Sequence, residues 1–206
     1  MLVKICGLKD RINIEQVLSH KPEMAGFIFY EKSPRFVGYE PLFTQFVYGL
    51  HNVKKVGVFV NTSFDQLLET SKAFGLDYVQ LHGNESADDC NTISRQISVI
   101  KAFRMDEDFN FKILAEYEGC CSYFLFDTNT SNYGGSGKKF NWKLLENYKG
   151  STPFILSGGI GPEDNEQLKQ IIHPAFAGID LNSRFEIEPG IKNIDLIKKF
   201  IHEIRN

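Results

Sequence analysis

Short apolar runs alternate along the chain with longer stretches in which apolar positions recur at helical spacing. The runs predict strands at Leu2–Cys6, Ala25–Phe29, Lys55–Val60, Asp77–Leu81, Ser98–Phe103, Ser122–Phe126, Pro153–Leu156 and Ala175–Ile179. Between them the spacing predicts helices from a cap at Asp10 through about Leu18, around Pro41–Leu50, and from a cap at Asn61 or Thr62 to Phe74. Others are predicted from about Ser86 to Gln96, over Glu107–Tyr117, from Trp142 to about Tyr148, from a first-turn Pro162 to near Ile172, and over Ile194–Ile204. Cap residues and first-turn prolines mark several of the starts.

Strands alternating with helices imply βαβ units and a parallel sheet. About eight such units, with no composition shift between them, predict a single (β/α)8 barrel, the TIM-barrel architecture, spanning 1–206. An open doubly wound sheet is the alternative, but no Gly-x-Gly-x-x-Gly follows the first strand.

Composition narrows the function without locating it. The chain has 206 residues and a net charge of −3, with no basic stripe, which argues against nucleic acid as a partner. No apolar run is long enough to span a bilayer and no leader-like segment precedes the first strand, so no membrane partner and a cytoplasmic enzyme are expected. The four cysteines are Cys6, Cys90, Cys120 and Cys121. None has Cys-x-x-Cys spacing and two are adjacent, which argues against a disulfide framework and against a zinc site.

Barrel enzymes carry their chemistry at the C-terminal ends of the strands. That rule selects Cys6, Arg35, His82, Arg104, Asp127 and Asp180. Side chains alternate along a strand, so Lys4 and Cys6 share one face and Val3 and Ile5 the other. Cys6 then points into the barrel mouth, either as a proton-accepting thiolate or as a buried structural cysteine. Asp127 ends an apolar run and reads as a catalytic carboxylate or as a cap on the turn behind it. The flexible Tyr133-Gly134-Gly135-Ser136-Gly137 that follows is suited to closing over a ligand. Arg35 offers a planar fork for a carboxylate, or is a solvated surface charge. His82 reads as an acid, base or hydrogen-bond donor, or as a satisfied structural histidine. Lys4 and Asp180 lie on strands that adjoin in a closed barrel, so they are expected to pair inside it.

The last two strands each end in small residues: Ser157-Gly158-Gly159-Ile160-Gly161, and the polar stretch Asp180 to Lys192. Backbone N–H groups in such loops cradle phosphate, and in barrels the cradle follows strands seven and eight. Gly158, Gly159, Asn182 and Ser183 are therefore the candidate phosphate-binding residues.

Taken in order, Lys4-Ile5-Cys6-Gly7, Gly26-Phe27-Ile28-Phe29 with Ser33-Pro34-Arg35, Val56-Gly57-Val58-Phe59-Val60-Asn61, Gln80-Leu81-His82-Gly83, Phe126-Asp127 with Gly134-Gly135-Ser136-Gly137, Ser157-Gly158-Gly159-Ile160 and the Asp180 stretch form an ordered set. In that set the chain resembles the phosphoribosylanthranilate isomerases of tryptophan biosynthesis over nearly its full length. The resemblance implies Cys6 as general base, Asp127 as general acid and Arg35 as a contact to the substrate carboxylate; His82, at the end of its strand, is a further candidate substrate-binding residue. The resemblance also implies an Amadori rearrangement of a small phosphorylated substrate, with no cofactor and no metal, by a monomer or a homodimer. Two positions depart from the family pattern: Arg184 stands after Ser183 where glycine is common, and Ser136 where threonine is frequent. Arg184 gives up glycine's freedom and is placed to add a charge near the phosphate. The rival readings are another phosphosugar isomerase barrel, which Cys6 argues against, and a non-catalytic phosphometabolite-binding barrel.

Overall fold

Parallel pairing carries the sheet from β1 through β8 and back to β1, so the barrel is closed. The structure, a computed structural model, describes residues 1–128 and 139–206. The expected glycine-rich lid, Tyr133 to Gly137, falls outside the described residues. The barrel strands are β1 (Leu2–Ile5), β2 (Met24–Ile28), β3 (Lys54–Phe59), β4 (Tyr78–Leu81), β5 (Ser98–Met105), β6 (Tyr123–Thr128), β7 (Phe154–Leu156) and β8 (Phe176–Leu181). Helices α1 (Arg11–Leu18), α2 (Pro41–Tyr48), α3 (Phe64–Phe74), α4 (Ala87–Ser94), α5 (Asn165–Lys169) and α6 (Ile194–Arg205) connect and close them. A small hairpin, β9 (Glu186–Glu188) with β10 (Ile191–Lys192), stands between β8 and α6.

Strand parity sorts the core into two layers. Val3, Ile5, Phe27, Phe59, Val79, Phe124, Phe126, Phe154 and Ile179 face outward and pack with the helices in one large cluster. Met24, Val56, Ile100, Ala102, Leu125 and Ile155 fill the inside of the barrel, with Leu2, Tyr78 and Tyr123 packed against them. Apolar packing closes the lower part of the tube, and polar inward positions begin above it. Lys4 stands opposite Asp180 in the β1–β8 register, and its Nζ lies 2.8 Å from Asp180 Oδ2, as expected from adjoining strands.

Helical segments depart from the sequence reading more than strands do. The cap of α3 is Ser63, not Asn61 or Thr62. Asn61 instead takes φ +51° and accepts the Asn84 N–H, tying the β3 loop to the β4 loop. The helix expected over Glu107–Tyr117 is a 3-10 run, Phe111–Tyr117. Asp106 holds the Asp108 N–H and Asn110 the Lys112 N–H, local bonds that compete with an α-helical start. The segment from Trp142 is likewise 3-10, to Asn147. Pro162 precedes α5 and does not open it. Asp164 holds the Gly161 N–H at 2.6 Å and takes up Pro162 and Glu163 in a turn. The hairpin β9–β10 was expected only as a polar loop; its turn residues Pro189-Gly190, with Gly190 at φ +94°, carry the signal for it.

Candidate active site

At the mouth, Cys6, Gln80, His82, Asp127, Asp180 and Asn182 line one cavity of about 70 Å³, together with Ile28, Tyr30, Ser33, Val58, Val60 and Ser157. Cys6, Gln80, His82, Asp127, Ser157, Asp180 and Asn182 continue the inward parity of their strands, which is why residues far apart in sequence meet. Asp127 is fixed at both oxygens: Oδ1 accepts the Thr128 N–H at 2.8 Å, and Oδ2 lies 3.2 Å from His82 Nε2. On its far side His82 Nδ1 lies 2.8 Å from Gln80 Nε2.

Cys6 lines the same cavity just past the end of β1, only 4% exposed. Gly26 makes room for it, since a Cβ there would stand 2.9 Å from the Cys6 sulfur. Burial pushes the Cys6 thiol up, against the pull of Lys4 and with the repulsion of Asp180. Lys4 alone would lower the thiol, but desolvation outweighs it. Lys4 itself is raised: burial works against its charge, but Asp180 and Cys6 outweigh it. Asp180 is raised by burial despite Lys4. Asp180 Oδ1 is buried without a hydrogen-bond partner among the described residues.

Arg35 does not line the cavity. Its guanidinium is bound to Glu186 instead, with Nε 2.9 and 3.0 Å from the two carboxylate oxygens and an Nη at 2.6 Å. Glu186 also holds Lys192 Nζ at 2.7 Å, and Lys192 in turn donates to Asn182 Oδ1 at 2.8 Å. Asn13 clamps the Lys192 backbone at both its N–H and its C=O. Two cations on one carboxylate leave a net positive charge buried behind the mouth. Burial works to raise Glu186, but Arg35 and Lys192 hold it below the usual carboxylate range. Burial lowers Lys192 in spite of Glu186. Gly7 lies between the two sides: a Cβ there would meet Arg35 Cδ and Asn182 Oδ1, each at 2.6 Å.

Beside the first cavity a smaller one, of about 40 Å³, is lined by Gly158, Gly159, Ile160, Asn182, Ser183 and Arg184, and shares Asp127, Ser157 and Asp180 with it. Gly158 and Gly159 both have positive φ, +88° and +70°. A side chain at Gly158 would strike Thr128 and stand 2.8 Å from Asp127 Oδ1. Arg184 reaches this pocket while pairing with Glu163 at 2.7 Å.

The fold thus gathers Cys6, His82, Asp127 and Asp180 at one cavity, and puts Gly158, Gly159, Asn182 and Ser183 around its neighbour. Arg104 stands opposite Asp127 in the β5–β6 register, outside the lining of either. Sequence reasoning missed Gln80, Glu186 and Lys192. Gln80 had a signal, since it shares the parity of His82 on a strand whose other face is apolar. Glu186 and Lys192 had none, because their roles depend on a loop folding back over Arg35.

A closed (β/α)8 barrel with a thiol, an imidazole and a carboxylate lining one cavity at the C-terminal ends of its strands has the architecture of a barrel enzyme. Residues 3–203 match the family described as N-(5'phosphoribosyl)anthranilate (PRA) isomerase, and the chain belongs to that family. An N-(5'-phosphoribosyl)anthranilate isomerase from Parabacteroides distasonis is 50% identical over 206 residues, covering 99% of this chain and 93% of the relative. The crystal structure of phosphoribosyl anthranilate isomerase from Thermotoga maritima superposes with a TM-score of 0.88 at 33% identity, covering 100% of this chain and 99% of that one. A phosphoribosyl anthranilate isomerase in complex with reduced 1-(o-carboxyphenylamino)-1-deoxyribulose 5-phosphate gives 0.84 at 30% identity, covering 100% and 98%.

Proposed function

We propose that the chain, acting as one catalytic unit over residues 1–206, isomerises N-(5'-phosphoribosyl)anthranilate to 1-(2-carboxyphenylamino)-1-deoxyribulose 5-phosphate. Asp127 gives a proton to the ribose ring oxygen, the C1–O bond breaks, and the nitrogen lone pair forms an iminium at C1. Cys6, ionised, takes the proton from C2, and the resulting enolamine tautomerises to the ketone. Lys4, held cationic beside Cys6, and the iminium both favour the thiolate at the step that needs it. The phosphate rests on the small-residue loops at Gly158, Gly159, Asn182 and Ser183, which leaves the reacting end between thiol and carboxylate. Arg35 with Lys192 supplies the buried positive charge that attracts the substrate carboxylate, and His82 orients Asp127.

The observation that carries this reading is that Cys6 and Asp127 line the same cavity, next to the glycine pocket. A binding protein would need only the pocket. Asp127→Asn keeps the shape and removes the transferable proton. Its turnover, followed by loss of the substrate's fluorescence, is expected to fall at least ~10²-fold, the scale of general acid catalysis. Parental turnover in the folded variant would remove Asp127 from the mechanism.

A further inference from the structure

Gln80 is buried, 1% exposed, in the wall of the cavity. Its Nε2 lies 2.8 Å from His82 Nδ1, and its Oε1 is buried with no hydrogen-bond partner among the described residues. A buried acceptor without a donor is uncommon in proteins and calls for a reason. The two ends of a carboxamide have nearly the same shape, so their partners determine which end faces the ring.

With nitrogen toward the ring, Nδ1 accepts. The single proton of a neutral imidazole then sits on Nε2 and donates to Asp127 Oδ2 across 3.2 Å. Oδ1 already accepts the Thr128 N–H, so in this arrangement both oxygens act as acceptors and neither directs a proton at the ring, the bonding that suits an ionised carboxylate. Turned over, the same carboxamide presents Oε1, which bonds only to a protonated Nδ1. Nε2 can then accept from a protonated Asp127, or share that proton with it. This second arrangement holds one proton more, taken from solvent, and gives Oε1 its donor. The backbone around the ring is fixed in both arrangements, because Lys101 Nζ bonds the carbonyls of Leu81 and Gly83 on either side of His82. The amide is the part that can turn.

We propose that Gln80 is a positioning residue for the acid: by turning over, it holds His82 with its proton on Nδ1 and so keeps a transferable proton on the His82–Asp127 pair. This rests on Asp127 being the proton donor. Among the described residues, the other ionisable groups facing the pair are Cys6 and the Lys4–Asp180 ion pair from the β1 and β8 side, Tyr30 after β2, and Arg104 from β5. All are common to the two arrangements and do not choose between them.

The test uses the whole chain with Gln80→Glu and Gln80→Met. Glutamate is an acceptor at any neutral pH, so nitrogen NMR of the His82 ring should show the Nδ1-protonated form persisting to higher pH than in the parent. The alkaline limb of kcat/KM should move up with it. Methionine fills the space without bonding the ring, and kcat should fall roughly 10-fold with KM within about twofold, a part of the full acid contribution. Folding of each variant is checked by binding of the reduced product analogue. Unchanged ring signals and an unmoved alkaline limb in Gln80→Glu, or parental kcat in Gln80→Met, would overturn the proposal. An inactive Asp127→Asn with a silent Gln80→Glu rejects the role of Gln80 alone. An active Asp127→Asn rejects the acid assignment and this proposal with it.

Discussion

Glu186 is the residue whose removal should be felt furthest from its own position. It is 4% exposed and holds two cations, Arg35 at 2.6 Å and Lys192 at 2.7 Å, as well as the Gly190 N–H at 3.1 Å. Glu186→Gln keeps the shape and deletes the charge, leaving two cations with no anion between them. Breaking a buried pair by removing one partner costs ~3–5 kcal/mol. Two effects pull the figure to the low end. The amide oxygen still accepts one bond, and Lys192, which burial already lowers, can shed its proton. We expect a loss of about 3 kcal/mol in denaturant unfolding at pH 7, or roughly 6–12 °C in Tm for a chain of this size. The pH dependence has a definite sign. Arg35 and Lys192 hold the Glu186 carboxyl below its unfolded value, so its contribution is complete above that value and lost as pH falls through the folded one. The gap between parent and variant should therefore be full at neutral pH and close below about pH 4. An anionic product analogue should restore part of the loss, since it supplies the missing negative charge. A loss under ~1 kcal/mol at pH 7, or a gap that does not narrow in acid, would refute the view that Glu186 holds these cations together.

The remaining predictions concern the base and the cradle. Cys6→Ala leaves no proton acceptor and is expected to lose at least ~10²-fold in kcat, whereas Cys90→Ser, on α4, should turn over normally in its folded fraction; parental turnover in Cys6→Ala would reject the base assignment. Gly159 has φ +70°, so Gly159→Asp adds backbone strain as well as a negative charge at the pocket; the product analogue should bind much more weakly, and unaltered binding by calorimetry would move the phosphate elsewhere.

The strand pattern was legible because one physical rule produces it: a barrel strand must bury its outward side chains under helices, so apolar runs mark every strand. Parity then placed Lys4, Cys6 and Asp127 on inward faces, and closure made Lys4 and Asp180 neighbours; the 2.8 Å contact between them follows from register alone. Phe154–Leu156 ended where its glycine loop was expected, while Phe176–Leu181 ran on two residues into the polar stretch expected to begin at Asp180. Helix starts were less legible, because Asp106, Asn110 and Asp164 make local bonds that no apolar spacing reveals. The sequence also could not assign Arg35 its partner. Its fork reads as open to a substrate, but a hairpin from the other end of the chain brings Glu186 against it, 151 residues away. Nor could it set the state of Cys6. Lys4 two residues earlier suggests a stabilised thiolate, while the folded barrel desolvates the sulfur and gives Lys4 to Asp180. Local pattern fixes which face a side chain takes; burial and long-range charge, which exist only once the barrel has closed, decide what that side chain can do there.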